Sequence, residues 1–377
     1  MLESIALTNF KAFDELELPL APLTILSGLN GTGKSSVLQA LGLLRQSFDA
    51  GSLQAGDLDL NGPLVDIGTA RDALYQGFDR QQLHIALGVQ SGKETAYFDW
   101  IADAPVEADV LKLQHHPEGL DFKTIALFSR GFQFLRADRI TPSVTFPKSQ
   151  HAVTQQRFLG ARGEYTTHFL QKFGDDPVVD PLRRHSREEQ ATSLLAQVNA
   201  WMQDLSPGVR VEPATVPMTD LVRLVYTFRG EKAAYGNAFR ATNVGFGLTH
   251  VLPVITACLS AEAGSLLIIE NPEAQLHPRG QAALGQLMAA TAAGGVQLIV
   301  ETHSDHVLNG IRLAVKNNIL SCESTALHFF LRAPGSPSSF ETPVLDKSGK
   351  LSFWPDGFFD QWERSLDQLL FTREQND

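Results

Sequence analysis

Apolar and polar residues alternate at the start of the chain. Ile5-Ala6-Leu7-Thr8-Asn9-Phe10 carries the period-two pattern of a half-buried strand, and Glu15-Leu16-Glu17-Leu18 repeats it. Leu23-Thr24-Ile25-Leu26 follows Pro22, a residue suited to a strand's entry. Ser27 closes this strand and Gly28 opens a loop. Beyond Lys34 the period changes, and Val37, Leu38, Leu41 and Leu44 recur at helix spacing.

From about Gly56 to Arg130 the pattern predicts mostly short strands, with Gln82–Gly88 and Thr95–Trp100 as a hairpin turned at Ser91-Gly92-Lys93. From about Gln155 to Gln203 the chain reads as polar and helical, most charged at Pro181–Glu189. Strands return at Val209–Glu212 and Leu221–Tyr226. Ser265–Glu270 and Val296–Val300 are continuous apolar runs of the kind found in buried strands. The stretch from about Glu341 is aromatic-rich and too short for its own core, so it is expected to pack on the main body. No internal repeat or low-complexity tract interrupts the chain.

A chain of 377 residues allows one elaborated domain or two lobes. Its 43% hydrophobic and 19% charged residues exclude global disorder and a fibrous repeat. The 31 Lys+Arg against 42 Asp+Glu leave a formal charge of -11, which argues against coating nucleic acid by bulk charge but leaves a local basic groove open. Two cysteines, Cys258 and Cys322, make no disulfide framework and point to a reduced, cytoplasmic setting. Met1-Leu2-Glu3-Ser4 lacks the basic region of a secretory signal. No apolar run approaches the ~20 residues that span a bilayer, so no membrane partner is expected.

The chemistry starts at Gly28-Leu29-Asn30-Gly31-Thr32-Gly33-Lys34-Ser35, an ungapped GxxxxGK[ST] phosphate loop. The glycines let backbone N–H groups turn inward around phosphate oxygens. Lys34 brings a point charge to the β- and γ-phosphates, and Ser35 offers a hydroxyl to Mg²⁺. The helix that follows aims its positive end at the same anion. A chance Gly-rich turn would lack this strand before it and this helix after it. Downstream, Glu270 ends an apolar run, where a Walker B strand needs its metal-facing carboxylate. The run Val296–Val300 leads into Glu301-Thr302-His303-Ser304-Asp305-His306. His303 and His306 have no evident third ligand, which disfavours a metal site there. His303 is expected at the strand's end beside the γ-phosphate, where an imidazole can orient phosphate and water.

The order of these parts resembles the ABC-type ATPase superfamily, and within it the RecF, SMC and OLD (overcoming lysogenization defect) group. Leu7-Thr8-Asn9-Phe10-Lys11-Ala12-Phe13 resembles that group's opening. Glu270-Asn271-Pro272-Glu273-Ala274-Gln275-Leu276-His277-Pro278 resembles its Glu-x-Pro-Glu-Ala-His-Leu-His-Pro box, with Gln275 in place of the usual His. Trp354-Pro355-Asp356-Gly357-Phe358-Phe359-Asp360 resembles the small C-terminal domain of a prokaryotic ATPase subfamily found in bacterial defence gene sets. The middle, about 85 to 235, is matched only loosely.

The resemblance implies an α/β fold: a P-loop ABC-type ATPase head over residues 1–340, with an antiparallel β subdomain and an inserted β/helical lobe at about 85–235. A small appendage, 341–377, would pack on it. It implies ATP and Mg²⁺ as cofactors, with Asn30, Gly31, Thr32, Gly33, Lys34, Ser35, Ser36 and Lys11 on the nucleotide and Ser35 with Glu270 on the metal. Glu270, Asn271, Glu273 and His303 form the implied catalytic set. A signature segment, Asn243–His250, would cap the nucleotide of a second protomer through Gly245, Gly247 and Thr249; Pro253 is tolerable there if it falls in the helix's first turn.

The catalytic Glu that usually follows the metal carboxylate is here Asn271, an amide that cannot accept a proton. Either Glu273 or another group serves as base, or hydrolysis is slow. Arg183, Arg184 and Arg187 read as a solvated helix face, the alternative being a contact for nucleic acid or a partner. Arg136, Asp138, Arg139 and Arg162-Gly163-Glu164 read equally as interface or nucleotide-sensing residues and as a buried ion-pair network.

The functional expectation is an ATPase that dimerises around ATP and gates an effector, a nuclease or toxin from another chain, or a DNA or RNA transaction, in anti-phage defence. The competing expectation is a nucleotide-locked scaffold or sensor with negligible turnover. A transporter subunit is opposed by the long insertion and the divergent signature.

Overall fold

The computed structural model describes residues 1–76, 81–230, 236–355 and Leu369. Asp356–Asp360 of the aromatic C-terminal motif lie outside the described residues. Strands β1 (Leu2–Phe10), β2 (Phe13–Pro19) and β3 (Leu23–Gly28) lead into helix α1 (Lys34–Ala50). Next come β4 (Asp57–Asp59), the short α2 (Ala70–Ala73), β5 (Gln82–Ser91), β6 (Glu94–Asp103) and β7 (Val110–His115). The middle holds β8 (Gln133–Leu135), β9 (Phe146–Pro147), α3 (Thr166–Phe173), α4 (Leu194–Leu205), β10 (Val209–Thr215), β11 (Leu221–Phe228) and β12 (Phe239–Arg240). The last part is α5 (Phe246–Ser260), β13 (Leu266–Glu270), α6 (Pro278–Ala293), β14 (Gln297–Glu301), α7 (Asp305–Lys316), β15 (Thr325–Leu331) and β16 (Ser339–Glu341).

Among the described residues these strands form three sheets. The core sheet runs β16-β15-β3-β14-β13-β8, parallel except for the edge strand β16. An antiparallel sheet runs β2-β1-β5-β6-β7-β4. A smaller one is β10-β11-β12, with β9 on β11. The stretch from about 85 to 235 therefore supplies strands to all three. The expected hairpin is β5 and β6, with Ser91 paired to Glu94 and the turn narrowed to Gly92-Lys93.

The continuous apolar runs are explained by the two cores. Leu266 and Ile268 point into the core shared with α1 and the antiparallel sheet. Leu267 and Ile269 point into the core shared with α5, α6 and the third sheet. A strand covered on both faces has no polar side, so it reads as an unbroken apolar run.

Two expectations are corrected here. The segment 155–203 is less helical than its pattern predicts, and Arg183, Arg184 and Arg187 do not share a solvated helix face. Asp180 caps only a single turn, Pro181–Arg183. Buried Arg183 donates to the carbonyls of Cys258, at 3.1 Å, and Ala261, holding the end of α5. Arg184 donates to Val178 O, and Arg187 pairs with Asp204. Arg183 and Arg184 are thus engaged in fixing the chain, while Arg187 remains exposed beside Asp204.

Pro253 sits well inside α5, past its first turn. Its ring lies against Gly163, where an added Cβ would come within 2.4 Å of Pro253 Cγ. The bare backbone at Gly163 makes room for the ring.

Candidate functional site

The parallel strands β3, β14 and β13 lie side by side with their C-terminal ends together. Leu26 pairs with Glu301, and Glu301 pairs with Glu270. Ligands of open α/β sheets gather at that edge. The loop Gly28–Gly33 leaves β3 there and enters α1. Gly28, Gly31 and Gly33 take φ values of 137, 78 and 97°, which L side chains avoid. A Cβ on Gly33 would meet the Phe13 ring at 2.6 Å, so the loop lies directly on the turn after β1. No side chain caps α1 at Gly33, which leaves its first amides for an anion.

A cavity of about 440 Å³ opens beside this loop. It is lined by Lys11, Asn30, Gly31, Gly33, Lys34, Ser35 and Ser36, so most of the expected nucleotide set shares one space. Thr32 does not line it; its hydroxyl donates to Leu29 O at 2.8 Å and braces the loop from within. Lys34 is buried, and its ammonium donates to Gly28 O at 3.0 Å and Leu29 O at 2.8 Å. Burial pushes that ammonium below its ordinary pKa, with Glu301 opposing. Burial likewise lowers Lys11, with Asp72 opposing.

Ser35 and Glu270, expected together on the metal, are not hydrogen-bonded to each other among the described residues. Ser35 donates instead to Glu301, 2.8 Å from Oε2 and 3.1 Å from Oε1. The Lys34 ammonium stands 3.9 Å from the same carboxylate. Burial raises the Glu301 pKa, Ser35 and Lys34 opposing. Glu270 accepts the Ala137 N–H at 2.8 Å, on the side of β8. Burial raises its pKa too. β14 stands between the loop strand and β13, so its Glu301 is the carboxylate beside Ser35.

Glu273 folds back onto its own chain. It accepts from the Thr302 hydroxyl and from the His303 backbone N–H, both at 2.8 Å. This fixes the backbone of His303, which is exposed and does not line the cavity. Partial desolvation and then Lys34 lower its imidazole pKa, so it is neutral at pH 7. Asn271 has φ 43°, and its buried Oδ1 has no hydrogen-bond partner among the described residues. Its N–H donates to Glu301 O, tying the ends of β13 and β14 together.

The signature segment is only partly available to a second chain. Gly245 caps α5 in open space, next to Phe246, which is 40% exposed. Gly247 is packed in its own protomer, where a Cβ would come within 2.4 Å of Gln275 O. Thr249 is fully buried and bonded to Tyr226 Oη at 2.9 Å, so it offers no hydroxyl to a partner in this arrangement. The Arg136–Asp138–Arg162 group is a partly exposed ion-pair set, whereas Arg139 is buried and bonds to backbone carbonyls.

Sequence reasoning missed Glu301, Gln39, Asp72, Gln76 and Arg332 on the cavity wall. For Glu301 a signal existed, since it directly precedes Thr302-His303 at the end of a core strand. Gln39 lies on α1 just beyond the loop, whereas Asp72, Gln76 and Arg332 come from segments remote in sequence that only the fold brings together.

Residues 23–309 match the family described as "AAA domain, putative AbiEii toxin, Type IV TA system". Residues 320–369 match one described as "Protein of unknown function (DUF3696)". A RecF DNA replication and repair protein of Pseudarthrobacter chlorophenolicus is 35% identical over 71 residues, 19% of this chain and 16% of that protein. The OLD nuclease of Thermus scotoductus is 41% identical over 44 residues, 12% of this chain and 8% of that protein. The chain thus spans under a fifth of the length of these two curated relatives.

Among solved structures, an Smc head bound to the C-terminal winged-helix domain of ScpA superposes with a TM-score of 0.53 at 14% identity, covering 92% of this chain and 99% of that one. A Pyrococcus furiosus Smc head bound to the C-terminal domain of ScpA gives 0.54 at 12% identity, covering 98% and 99%. At such identities the likeness concerns the fold. With a family match over most of its length and this head-like fold, the chain belongs to that AAA-domain family, as an ABC-type ATPase of the RecF, SMC and OLD group.

Proposed function

We propose that this protein binds Mg-ATP at the Gly28–Ser35 loop and hydrolyses it slowly, two protomers closing around the nucleotide. The observation that carries the reading is Lys34, buried and resting on the carbonyls of its own loop beside the 440 Å³ cavity. A buried ammonium held, among the described residues, by two carbonyls and a carboxylate at 3.9 Å is poised to exchange them for phosphate. Uncapped α1 amides, Asn30 and Lys11 complete an anion-binding wall. The Ser35 hydroxyl and the neighbouring carboxylates at the strand ends are oxygen donors suited to Mg²⁺. Bound Mg²⁺ would neutralise phosphate charge there.

In this proposal His303, neutral and with its backbone held by Glu273, positions the phosphate side of the reaction. Asn271 orients water without taking its proton, which keeps turnover low. Glu273, spent on Thr302 and His303, acts as a positioning residue. Gly245 and Phe246 reach the facing protomer. Residues 1–340 form the ATPase unit and 341–377 its appendage. The work of closure goes to an effector chain, a nuclease or toxin, or to a nucleic-acid transaction in anti-phage defence. Support comes from the toxin named in the family description, the OLD nuclease relative, and the ScpA domains bound to the Smc heads.

The competing reading, an ATP-locked scaffold or sensor, is favoured by one observation, the amide at Asn271. Steady-state phosphate release with light scattering, with and without Mg-ATP, decides between them. Turnover with an ATP-dependent dimer supports the first; a stable dimer without turnover supports the second.

A further inference from the structure

We propose that Glu301, and not the Walker B-like Glu270, is the protein carboxylate that holds the divalent cation of the bound nucleotide, acting together with Ser35. The inference rests on the Mg-ATP reading above and names the metal ligand within that site.

Three observations carry it. First, the Ser35 hydroxyl lies within hydrogen-bond distance of both Glu301 oxygens, at 2.8 and 3.1 Å. A hydroxyl and a carboxylate at that separation can share one small cation that prefers oxygen. Second, Glu301 lines the phosphate-loop cavity, whereas Glu270 is not on its wall. Third, Glu270 has its own task. One of its oxygens accepts the Ala137 N–H, and it ends β13, one strand further from the loop than β14.

The surroundings of Glu301 also leave room for a cation. Its nearest positive group, Lys34 Nζ, is 3.9 Å away and already donates to two loop carbonyls. Glu270 and Glu273 both add negative charge close by. A buried carboxylate with so little compensation is a strong attractor for a dication. Glu270 then supports the site electrostatically from the neighbouring strand, and Asn271 fixes the backbone of Glu301 through its N–H.

The test is titration of Mn²⁺ by electron paramagnetic resonance in the presence of AMP-PNP, for wild type, E301Q and E270Q. Calorimetric AMP-PNP binding without metal is measured alongside and reports an intact loop. E301Q is expected to weaken Mn²⁺ by about 10–100-fold, the range for losing a supporting group at a metal, with metal-free AMP-PNP affinity kept or raised. E270Q is expected to lose less. Wild-type Mn²⁺ affinity in E301Q, or a larger loss in E270Q, overturns the proposal. If E301Q also loses metal-free binding, E301D decides. Partial recovery of Mn²⁺ affinity supports the assignment and none overturns it. A wild-type protein that binds no AMP-PNP, with or without metal, overturns the Mg-ATP reading itself.

Discussion

Arg139 donates to the backbone carbonyl of Asn271 at 2.8 Å. The same guanidinium reaches the carbonyls of Glu270 at 2.5 Å and His250 at 3.1 Å. It thus joins the end of β13 to the second turn of α5, the helix that carries the signature glycines. Burial pushes its pKa down to about 10, with Glu273, Glu270 and Asp138 opposing, so it stays charged at neutral pH.

Removing that charge leaves several buried carbonyls without a donor. Arg139→Met is expected to cost roughly 3–5 kcal/mol, the range for breaking one side of a buried polar network. Urea denaturation measures it. A loss below about 1 kcal/mol would mean that the carbonyls find water and that Arg139 is no structural tie.

The two signature glycines are expected to behave differently. Gly247→Ala places a methyl against Gln275 O, and overpacking of this kind costs about 1–3 kcal/mol. Gly245→Ala meets nothing within 4 Å and should leave stability within about 0.5 kcal/mol. For the proposed dimer, Gly245→Arg is therefore the cleaner probe. It should fold, bind ATP as a monomer and fail to dimerise in light scattering with ATP. An unchanged ATP-dependent dimer would place the interface elsewhere.

His328 sets a pH dependence. It is buried, with Nε2 donating to Pro19 O at 2.8 Å and Nδ1 accepting from Thr342 at 2.9 Å. Desolvation pushes its pKa down to about 4, from an ordinary 6.5. The unfolded chain takes up this proton near pH 6.5 and the folded one does so only near 4. Stability is therefore present above pH 6.5 and lost as pH falls toward 4, by about 2 kcal/mol at pH 5 for one such group. His250, also near 4, adds a loss of the same sign. Denaturation at pH 7 and pH 5 should show a smaller drop for His328→Gln than for wild type. An equal drop would mean that His328 is protonated in the fold.

Sequence patterns carried much of the fold because period and burial are local. The alternation at Ile5–Phe10, the helix after Lys34 and the apolar runs at 265–270 and 296–300 all correspond to elements. The loop was legible for the same reason, since Gly31, Gly33, Lys34 and Ser35 act within one short segment. Contacts across the sheet were not legible. Whether Ser35 meets Glu270 or Glu301 depends on which strand lies beside β3, and that order is not written in either run. The burial of Thr249 on α5 was hidden likewise, because its partner Tyr226 lies on β11 of the third sheet. The arginines near 185 misled because charge in sequence reads as solvent, whereas here Asp204 and the carbonyls ending α5 take it up.

The central claim is that this loop binds nucleotide through Lys34. Its most direct test is calorimetric titration of Mg-ATP into wild type and Lys34→Ala at equal ionic strength. Losing a charge-assisted contact worth about 1.5–3 kcal/mol predicts affinity lower by about 10–100-fold in the variant, with the fold intact. Equal Mg-ATP affinity in the two proteins would contradict the account.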